Sequence, residues 1–193
     1  MTPPRAPVRA SILGLAFAAA ACAPPQPKYV SQDDVLQAIS RAARYSPARS
    51  SYRLRHAEVS GDAITFHYQG VAYPGDRAWA IRFATKTSEQ RPEELVRIEN
   101  LLETIRGKKE GFRETGRGKR DFRGLAVEHV AYRFDSPFYV GGKPVAAGGI
   151  AAVTRVEGDP APVVYQLNVV NEEGNRPDLG WAEVEPLLSA IQP

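Results

Sequence analysis

The sequence contains one cysteine, three histidines and a single long apolar run. One cysteine allows no intrachain disulfide, which excludes a small disulfide-stabilised scaffold. The histidines, His56, His67 and His129, fall in predicted strands, and no two of them have the i,i+4 spacing of helical ligands or the i,i+2 spacing of strand ligands. Because no thiolates lie near them, this pattern predicts no zinc site, and we interpret all three as surface or hydrogen-bonded sheet residues. We expect no metal and no other cofactor.

The recognisable motifs of catalysis and phosphate binding are missing as well. The pentapeptide G-x-S-x-G does not occur, and among the many scattered Ser, Asp and Glu residues the sequence gives no reason to prefer any pair. Gly141-Gly142 and Gly148-Gly149 lack the G-x-G-x-x-G and G-x-x-x-x-G-K patterns that cradle phosphate. The sequence therefore predicts that the protein is not an enzyme.

The apolar run lies near the start of the chain, from Ile12 to Ala21, and follows a short segment that carries Arg5 and Arg9. It is much shorter than the roughly 20 residues that a membrane-spanning helix needs. A basic start, a short apolar core and small residues before a cleavage point are typical of a secretory signal peptide. We therefore predict that residues 1–21 are a signal peptide.

The cysteine follows this run directly. The residues Ala19-Ala20-Ala21-Cys22 resemble the lipobox of bacterial lipoproteins, which implies that Cys22 carries lipid and begins the mature protein. Several acyl chains anchor a protein stably, whereas one chain binds only marginally. The alternative is an ordinary signal peptide that is cut after an A-x-A pattern and leaves a free thiol.

The resemblance to lipoproteins also predicts a location. Residues 22–30 are rich in proline and should form an extended tether between the lipid and the folded part. Ala23 after the cysteine resembles the outer-membrane sorting pattern of Gram-negative lipoproteins. We expect a protein of the bacterial cell envelope, anchored in the outer membrane and facing the periplasm.

The charge of the chain argues against nucleic acid as a partner. Residues 1–21 hold two of the 25 basic residues and none of the 22 acidic ones, which leaves a formal charge of +1 on residues 22–193. A protein with so little net charge lacks the broad positive field of a nucleic-acid binder. The length suits one domain, which we place at residues 31–193.

Hydrophobic periodicity predicts both helices and strands. Helices are expected from Ser31 to about Tyr45, from about Pro92 to Arg106, and from Trp181 to about Ile191, the last one short or broken because of Pro186. Between them, short alternating segments are joined by tight turns such as Ser60-Gly61-Asp62, which indicates antiparallel pairing. We predict an α+β fold, with an antiparallel sheet of about six or seven strands and helices packed on it.

The second half of the chain resembles the PsbP-like fold. The resemblance is carried by an amphipathic helix around Leu95, a basic strand that leads to Arg123-Gly124, and the strand Val164-Tyr165-Gln166-Leu167 before a final helix. That fold includes many small bacterial envelope lipoproteins without enzymatic activity. It implies a binding role and transfers no functional residue to this chain.

One segment is strongly basic. Residues 106–124 carry eight Lys or Arg against three Asp or Glu. Arginine forms bidentate charge-assisted bonds, so this segment is a candidate surface for phosphate or carboxylate groups of the envelope. The candidate residues are Arg113, Arg117, Lys119, Arg120 and Arg123. The alternative is a solvated hairpin whose cations protect an exposed sheet edge from aggregation.

Together these features predict a lipid-anchored, non-catalytic binding or scaffolding module. Its partners would be the membrane, through the lipid on Cys22, and another envelope protein or an anionic envelope polymer. Two alternatives stay open: a carrier of an apolar ligand, and a small envelope hydrolase whose site the sequence does not reveal.

Overall fold

A computed structural model describes residues 51–61, 63–84, 92–157 and 162–191, together with Ala38. These residues build one antiparallel sheet of seven strands in the order β1-β2-β3-β7-β6-β5-β4. Three short helices accompany the sheet. The elements are β1 (Tyr52–Ser60), β2 (Ala63–Gly70), β3 (Asp76–Ala84), α1 (Pro92–Leu95), α2 (Ile98–Arg106), β4 (Arg113–Phe122), β5 (Leu125–Val140), β6 (Lys143–Val156), β7 (Val163–Asn171) and α3 (Trp181–Ile191).

The sheet joins two meanders at its centre. Strands β1 to β3 form the first meander and β4 to β7 the second, and β3 pairs with β7 from Asp76↔Asn171 to Ala84↔Val163. Helices α1 and α2 lie in the connection between the meanders, which leads from the centre of the sheet to its edge at β4. Every pairing is antiparallel, since each meander turns back on itself and the two meet in opposite directions.

One face of the sheet packs against α3, and we call it the α3 face. Alternation along β2 places Ile64, Phe66 and Tyr68 on this face, where all three are buried. Val184, Leu187 and Leu188 of α3 lie in the same cluster, and Ala38 packs against it. This cluster extends across all seven strands, from Tyr52 of β1 to Phe122 of β4, and is the larger of the two cores.

The opposite face, the α2 face, is covered over a smaller area. Helix α2 buries an apolar stripe of Ile98, Leu101, Leu102 and Ile105. These side chains pack on β5, β6 and the adjoining part of β7. Among the described residues, no helix covers the α2 face of β1, β2 and β3.

The α+β fold class predicted from the sequence is wrong. The structure is 59% strand and 17% helix, which makes it a mainly β fold with a single sheet. Two strands are much longer than their hydrophobic patterns indicated: β5 has 16 residues and β6 has 14. The parts of β5 and β6 next to their hairpin turn pair only with each other, up to Val140↔Lys143. The side chains of β5 are exposed there, so the sequence shows no alternation of apolar and polar residues that would predict a strand.

The predicted helix from Pro92 to Arg106 is also interrupted. It consists of α1 and α2, because Arg97 has an extended backbone with φ −77° and ψ 114°. Helix α3 begins at Trp181 as expected, but it runs for 11 residues as one helix with Pro186 in its interior, whereas the sequence predicted a short or broken helix. No helix in the described part of the chain is long and apolar enough to cross a membrane.

Several predictions concern the first 50 residues, of which the structure describes only Ala38. The predicted signal peptide at residues 1–21, Cys22, the tether at residues 22–30 and the predicted first helix lie outside the described residues, apart from Ala38.

Candidate functional site

The uncovered part of the α2 face forms a groove of about 790 Å³. Its floor is made by β1, β2, β3 and β7, and one wall is made by α2 and the two lysines that follow it. The groove exists because α2 sits over the second meander and no other described helix covers the α2 face of the first meander. It is the feature of the described structure best suited to hold a ligand.

The centre of the groove is apolar. Trp79 and Ile81 of β3 contribute to the floor, and Leu101 and Ile105 line the wall next to α2. Trp79 is half-buried and packs against the cluster beneath α2. An indole ring at this place offers a ligand a flat apolar surface.

Buried polar side chains hold the part of the floor that β7 contributes. The Tyr132 hydroxyl donates a hydrogen bond to Asn168 Oδ1 at 2.7 Å. Gln166 Nε2 donates to the carbonyl oxygen of Leu95 at 3.0 Å, which ties β7 to α1. Because these groups are already paired, they fix the shape of the floor and are not free to reorganise around a ligand.

Cations surround this apolar centre. Arg55, Arg77 and Lys108 line the groove, and none of the three forms an ion pair with a carboxylate among the described residues. A fourth cation, Lys109, is different, since it forms an ion pair with Glu172 and lies 4.7 Å from the centre of the Phe134 ring. The groove therefore has an apolar floor surrounded by three positive charges that no described carboxylate neutralises.

Two histidines and a glutamate lie together at the rim of the groove. His56 Nε2 is 3.1 Å from Glu58 Oε1, and His67 Nε2 is 3.7 Å from the same oxygen. The two imidazole rings stack with their centres 4.2 Å apart and an angle of 12° between their planes. The three ligand atoms lie within 4.8 Å of one another.

A bulge in β1 lies directly beside this arrangement. Tyr52 pairs with Gly70 and Leu54 with Tyr68, but His56 pairs with His67, so that Arg55 is the extra residue. On the turn side of the bulge the register that starts at Ser60↔Ala63 is regular, so His56 and Glu58 share the α2 face with His67. On the other side, the bulge shifts the alternation so that Tyr52 and Leu54 lie on the α3 face.

Sequence reasoning missed this trio because it considered spacing along one strand. A signal for it existed in the predicted turn Ser60-Gly61-Asp62. Closing the hairpin there with Ser60 opposite Ala63 brings His56 opposite His67, as the structure shows. The spacing of ligands across a hairpin was thus readable from the sequence, although the bulge was not.

The five basic residues predicted as an anion surface do not form one surface. Arg117 contacts Glu99, Glu114 and Glu128. Arg113 and Lys119 also lie beside carboxylates, those of Asp135 at 3.9 Å and Glu128 at 3.9 Å.

The remaining two stack on aromatic rings. Arg120 lies 5.4 Å from the centre of the Trp181 ring on the α3 face, and Arg123 lies 5.2 Å from the centre of the Phe122 ring. Arg123 also has a φ of 52° in the turn after β4. From the basic segment 106–124, only Lys108 and Lys109 line the groove.

The ion pairs of β4 affect its titration. The hydrogen bond from Arg117 lowers the pKa of the Glu99 carboxyl, and Glu99 and Glu114 in turn raise the pKa of the Arg117 guanidinium. The charges in this part of the basic segment are thus engaged by acids of the same protein. An anionic ligand at Arg117 would have to displace those acids, whereas at Arg77 or Lys108 it would displace none that the structure describes.

Comparison with known proteins adds no relationship. No protein-family model matches the sequence, and a search of curated proteins finds no match. The function has to be inferred from the groove and from the residues around it.

Proposed function

We propose that the protein is a non-catalytic, lipid-anchored binding module of the bacterial cell envelope. Its ligand site is the groove on the α2 face, and its ligand is an amphiphile of the envelope with a phosphate or carboxylate group. The observation that carries this proposal is the combination of Arg55, Arg77 and Lys108, which have no described acidic partner, with the apolar floor at Trp79.

The chemistry of the groove favours an amphiphile over a plain polymer or a plain hydrocarbon. Arginine and lysine side chains bind phosphate and carboxylate through charge-assisted hydrogen bonds. The floor at Trp79 and Ile81 gains stability when it is covered by apolar groups, at about 25 cal/mol for each Å² removed from water. A ligand with one anionic end and one apolar end uses both features.

The distribution of exposed apolar residues supports attachment to a membrane. Of the six large apolar side chains that are exposed in the described part of the chain, five lie at one end of the sheet. They are Val71, Tyr73, Phe138, Tyr139 and Val140. Described residue Ser51 is at the same end, where its carbonyl oxygen accepts a hydrogen bond from Val71 N at 2.8 Å. With a lipid on Cys22, this end of the sheet is the one that we propose faces the membrane, with its aromatic residues at the bilayer surface.

Tryptophan fluorescence tests the proposed groove directly. The chain has two tryptophans, so a protein with Cys22→Ser and Trp181→Phe reports from Trp79 alone and stays free of lipid. The probes are short-chain phosphatidylglycerol and short-chain phosphatidylcholine, both below their micellar concentrations. We expect the emission of Trp79 to shift to shorter wavelength with phosphatidylglycerol, and this binding to weaken as salt is added.

Paired charge variants locate the binding. Arg77→Ser combined with Lys108→Ser removes two groove cations, and Arg113→Ser combined with Lys119→Ser removes two β4 cations as a matched control. We expect the groove variant to bind phosphatidylglycerol about tenfold more weakly, since each exposed charge contact contributes up to ~1 kcal/mol, and the control to bind normally. Equal binding of phosphatidylcholine without salt dependence would instead favour an apolar-ligand carrier. No response to either lipid, or equal weakening in both variants, would refute the proposed groove.

A further inference from the structure

We propose that His56, Glu58 and His67 form a binding site for a divalent transition-metal ion, with Zn²⁺ as the ion that fits the donors. The site lies at the rim of the groove, and both histidines line the groove. This inference does not depend on which ligand the groove binds, because metal binding can be measured with the ion alone.

The donor set is chemically suited to zinc. Two imidazole nitrogens and one carboxylate oxygen are ligands that Zn²⁺ accepts in sites with three protein donors and an open fourth position. Softer thiolate donors are absent among the described residues, and the set contains too few oxygens for calcium. The three donors come from two adjacent strands, which hold them in place through the β1–β2 ladder.

An unsatisfied nitrogen points to a ligand at this position. His67 Nε2 is shielded from solvent and has no hydrogen-bond partner in the described structure. Glu58 Oε1, at 3.7 Å, is too distant to accept a hydrogen bond from it. Leaving a polar atom buried and unpaired destabilises the fold, and a metal ion between His67 and Glu58 would give that nitrogen a partner.

Binding requires a rotation that the structure permits. A metal ion lies near the plane of each imidazole that ligates it, and two rings inclined by only 12° cannot both point at one ion. One ring must therefore turn. His56 can do so, because its side chain is 56% exposed, whereas that of His67 is 35% exposed. Metal binding should thus replace the stacked histidine pair by a converging one.

A bulge in β1 adjoins the three residues. A bulge interrupts the ladder and is a feature that sheets use to redirect side chains next to functional sites. Here the bulge lies at Arg55, next to His56, while the regular register of the β1–β2 hairpin places His56 and Glu58 on the face of His67. The fourth position of the ion would be open to solvent or to an anionic group in the groove, near the exposed bulge residue Arg55.

Nuclear magnetic resonance of the histidine side chains tests the site without any change in it. The protein is the full chain with Cys22→Ser, which removes the only thiol, and it carries no histidine tag. The chain has three histidines, so His129 is an internal control; it lies on the α3 face against Trp181. We expect Zn²⁺ at one equivalent to shift the imidazole signals of His56 and His67 and to leave those of His129 unchanged.

Variants give the strength of each donor's contribution. Calorimetric titration with Zn²⁺ should show one site per chain, and His67→Gln, His56→Gln and Glu58→Gln should each weaken binding by more than about tenfold. The control His129→Gln should bind as the unchanged protein does. The proposal is overturned if Zn²⁺ shifts no signal of His56 and His67, or if His129→Gln weakens binding as much as the three site variants. Absence of any binding heat together with unshifted signals would identify the trio as a plain His–Glu contact.

Discussion

The Tyr132 hydroxyl donates a hydrogen bond of 2.7 Å to Asn168 Oδ1 across the backbone of β6. Tyr132 belongs to β5 and Asn168 to β7, and Gly149 of β6 pairs with Tyr132 between them. Burial raises the pKa of the Tyr132 hydroxyl above its ordinary value of 10.0, so the group stays protonated and remains a donor at physiological pH. This bond connects the core beneath α2 with the floor of the groove.

Tyr132→Phe should therefore destabilise the protein. The change keeps the ring and removes the donor, which leaves Asn168, 4% exposed, with an unpaired amide oxygen. The expected loss in the free energy of unfolding is about 1–3 kcal/mol, measured by urea denaturation. Tyr139→Phe, at a tyrosine that is 64% exposed, is the control and should change stability by less than about 0.5 kcal/mol. Equal stabilities of the two variants would show that the bond contributes nothing.

Gly149→Ala tests the same contact by a change in β6, the strand over which the Tyr132 side chain passes to reach Asn168. A Cβ at position 149 would overlap the Tyr132 ring, which lies over the glycine. We expect a loss of about 1–3 kcal/mol, because the ring has to move and its bond to Asn168 is weakened. Gly116→Ala in β4 is a matched control, since nothing lies within 4 Å of a Cβ there. If Gly149→Ala melts at the temperature of this control, the ring is not held over β6.

His129 should make stability depend on pH. Burial and, secondarily, the charge of Arg120 lower the pKa of His129 below its ordinary value of 6.5. Between the two pKa values the unfolded chain binds more protons than the folded one, so stability is lost as the pH falls below about 6.5. Between about pH 7.5 and pH 5.5, the melting temperature should fall more in the unchanged protein than in His129→Gln. Identical pH profiles, or a His129 pKa at or above 6.5 by NMR titration, would contradict this prediction.

The anchor is tested at the cysteine. Cys22→Ser removes the sulfur that a lipoprotein pathway would acylate, so the variant should move from the membrane fraction to the soluble periplasmic fraction of a Gram-negative host. The measurement is fractionation followed by immunoblotting, with mass spectrometry of the unchanged protein to find acyl chains on residue 22. A variant that stays on the membrane after salt washing would contradict attachment through Cys22.

Turns and their local pairings were predictable from the sequence, whereas the extent of the sheet was not. The turns at Gly61 and at Gly141-Gly142 predicted hairpins, and the structure contains both, as β1–β2 and β5–β6. Hydrophobic alternation reports burial, so it could not reveal the exposed outer part of the β5–β6 hairpin at Phe138 to Val140. The long β5–β6 hairpin raises the strand content, and the break at Arg97 shortens the predicted helix. The domain is therefore mainly β and not α+β as predicted.

The groove could be recognised only from the tertiary structure and not from the sequence. Its cations come from β1, β3 and the segment after α2, and they meet because β3 lies in the sheet between β2 and β7. Charge density along the chain pointed instead to β4, where Arg117 is neutralised by acids brought from α2 and β5. Local net charge cannot distinguish a cation that is paired across strands from one that is not. The anion surface predicted at Arg113 to Arg123 stays a prediction.

Chemical-shift mapping of ligand contacts tests the central claim most directly. In the ¹⁵N-labelled Cys22→Ser protein, short-chain phosphatidylglycerol should shift the indole N–H of Trp79 and the backbone amides of Arg77 and Lys108 in a saturable, salt-dependent way. The amides of β4 from Arg117 to Phe122 should stay unchanged. Shifts confined to β4, or a titration that moves no signal of the groove, would contradict the assignment of the α2-face groove as the ligand site.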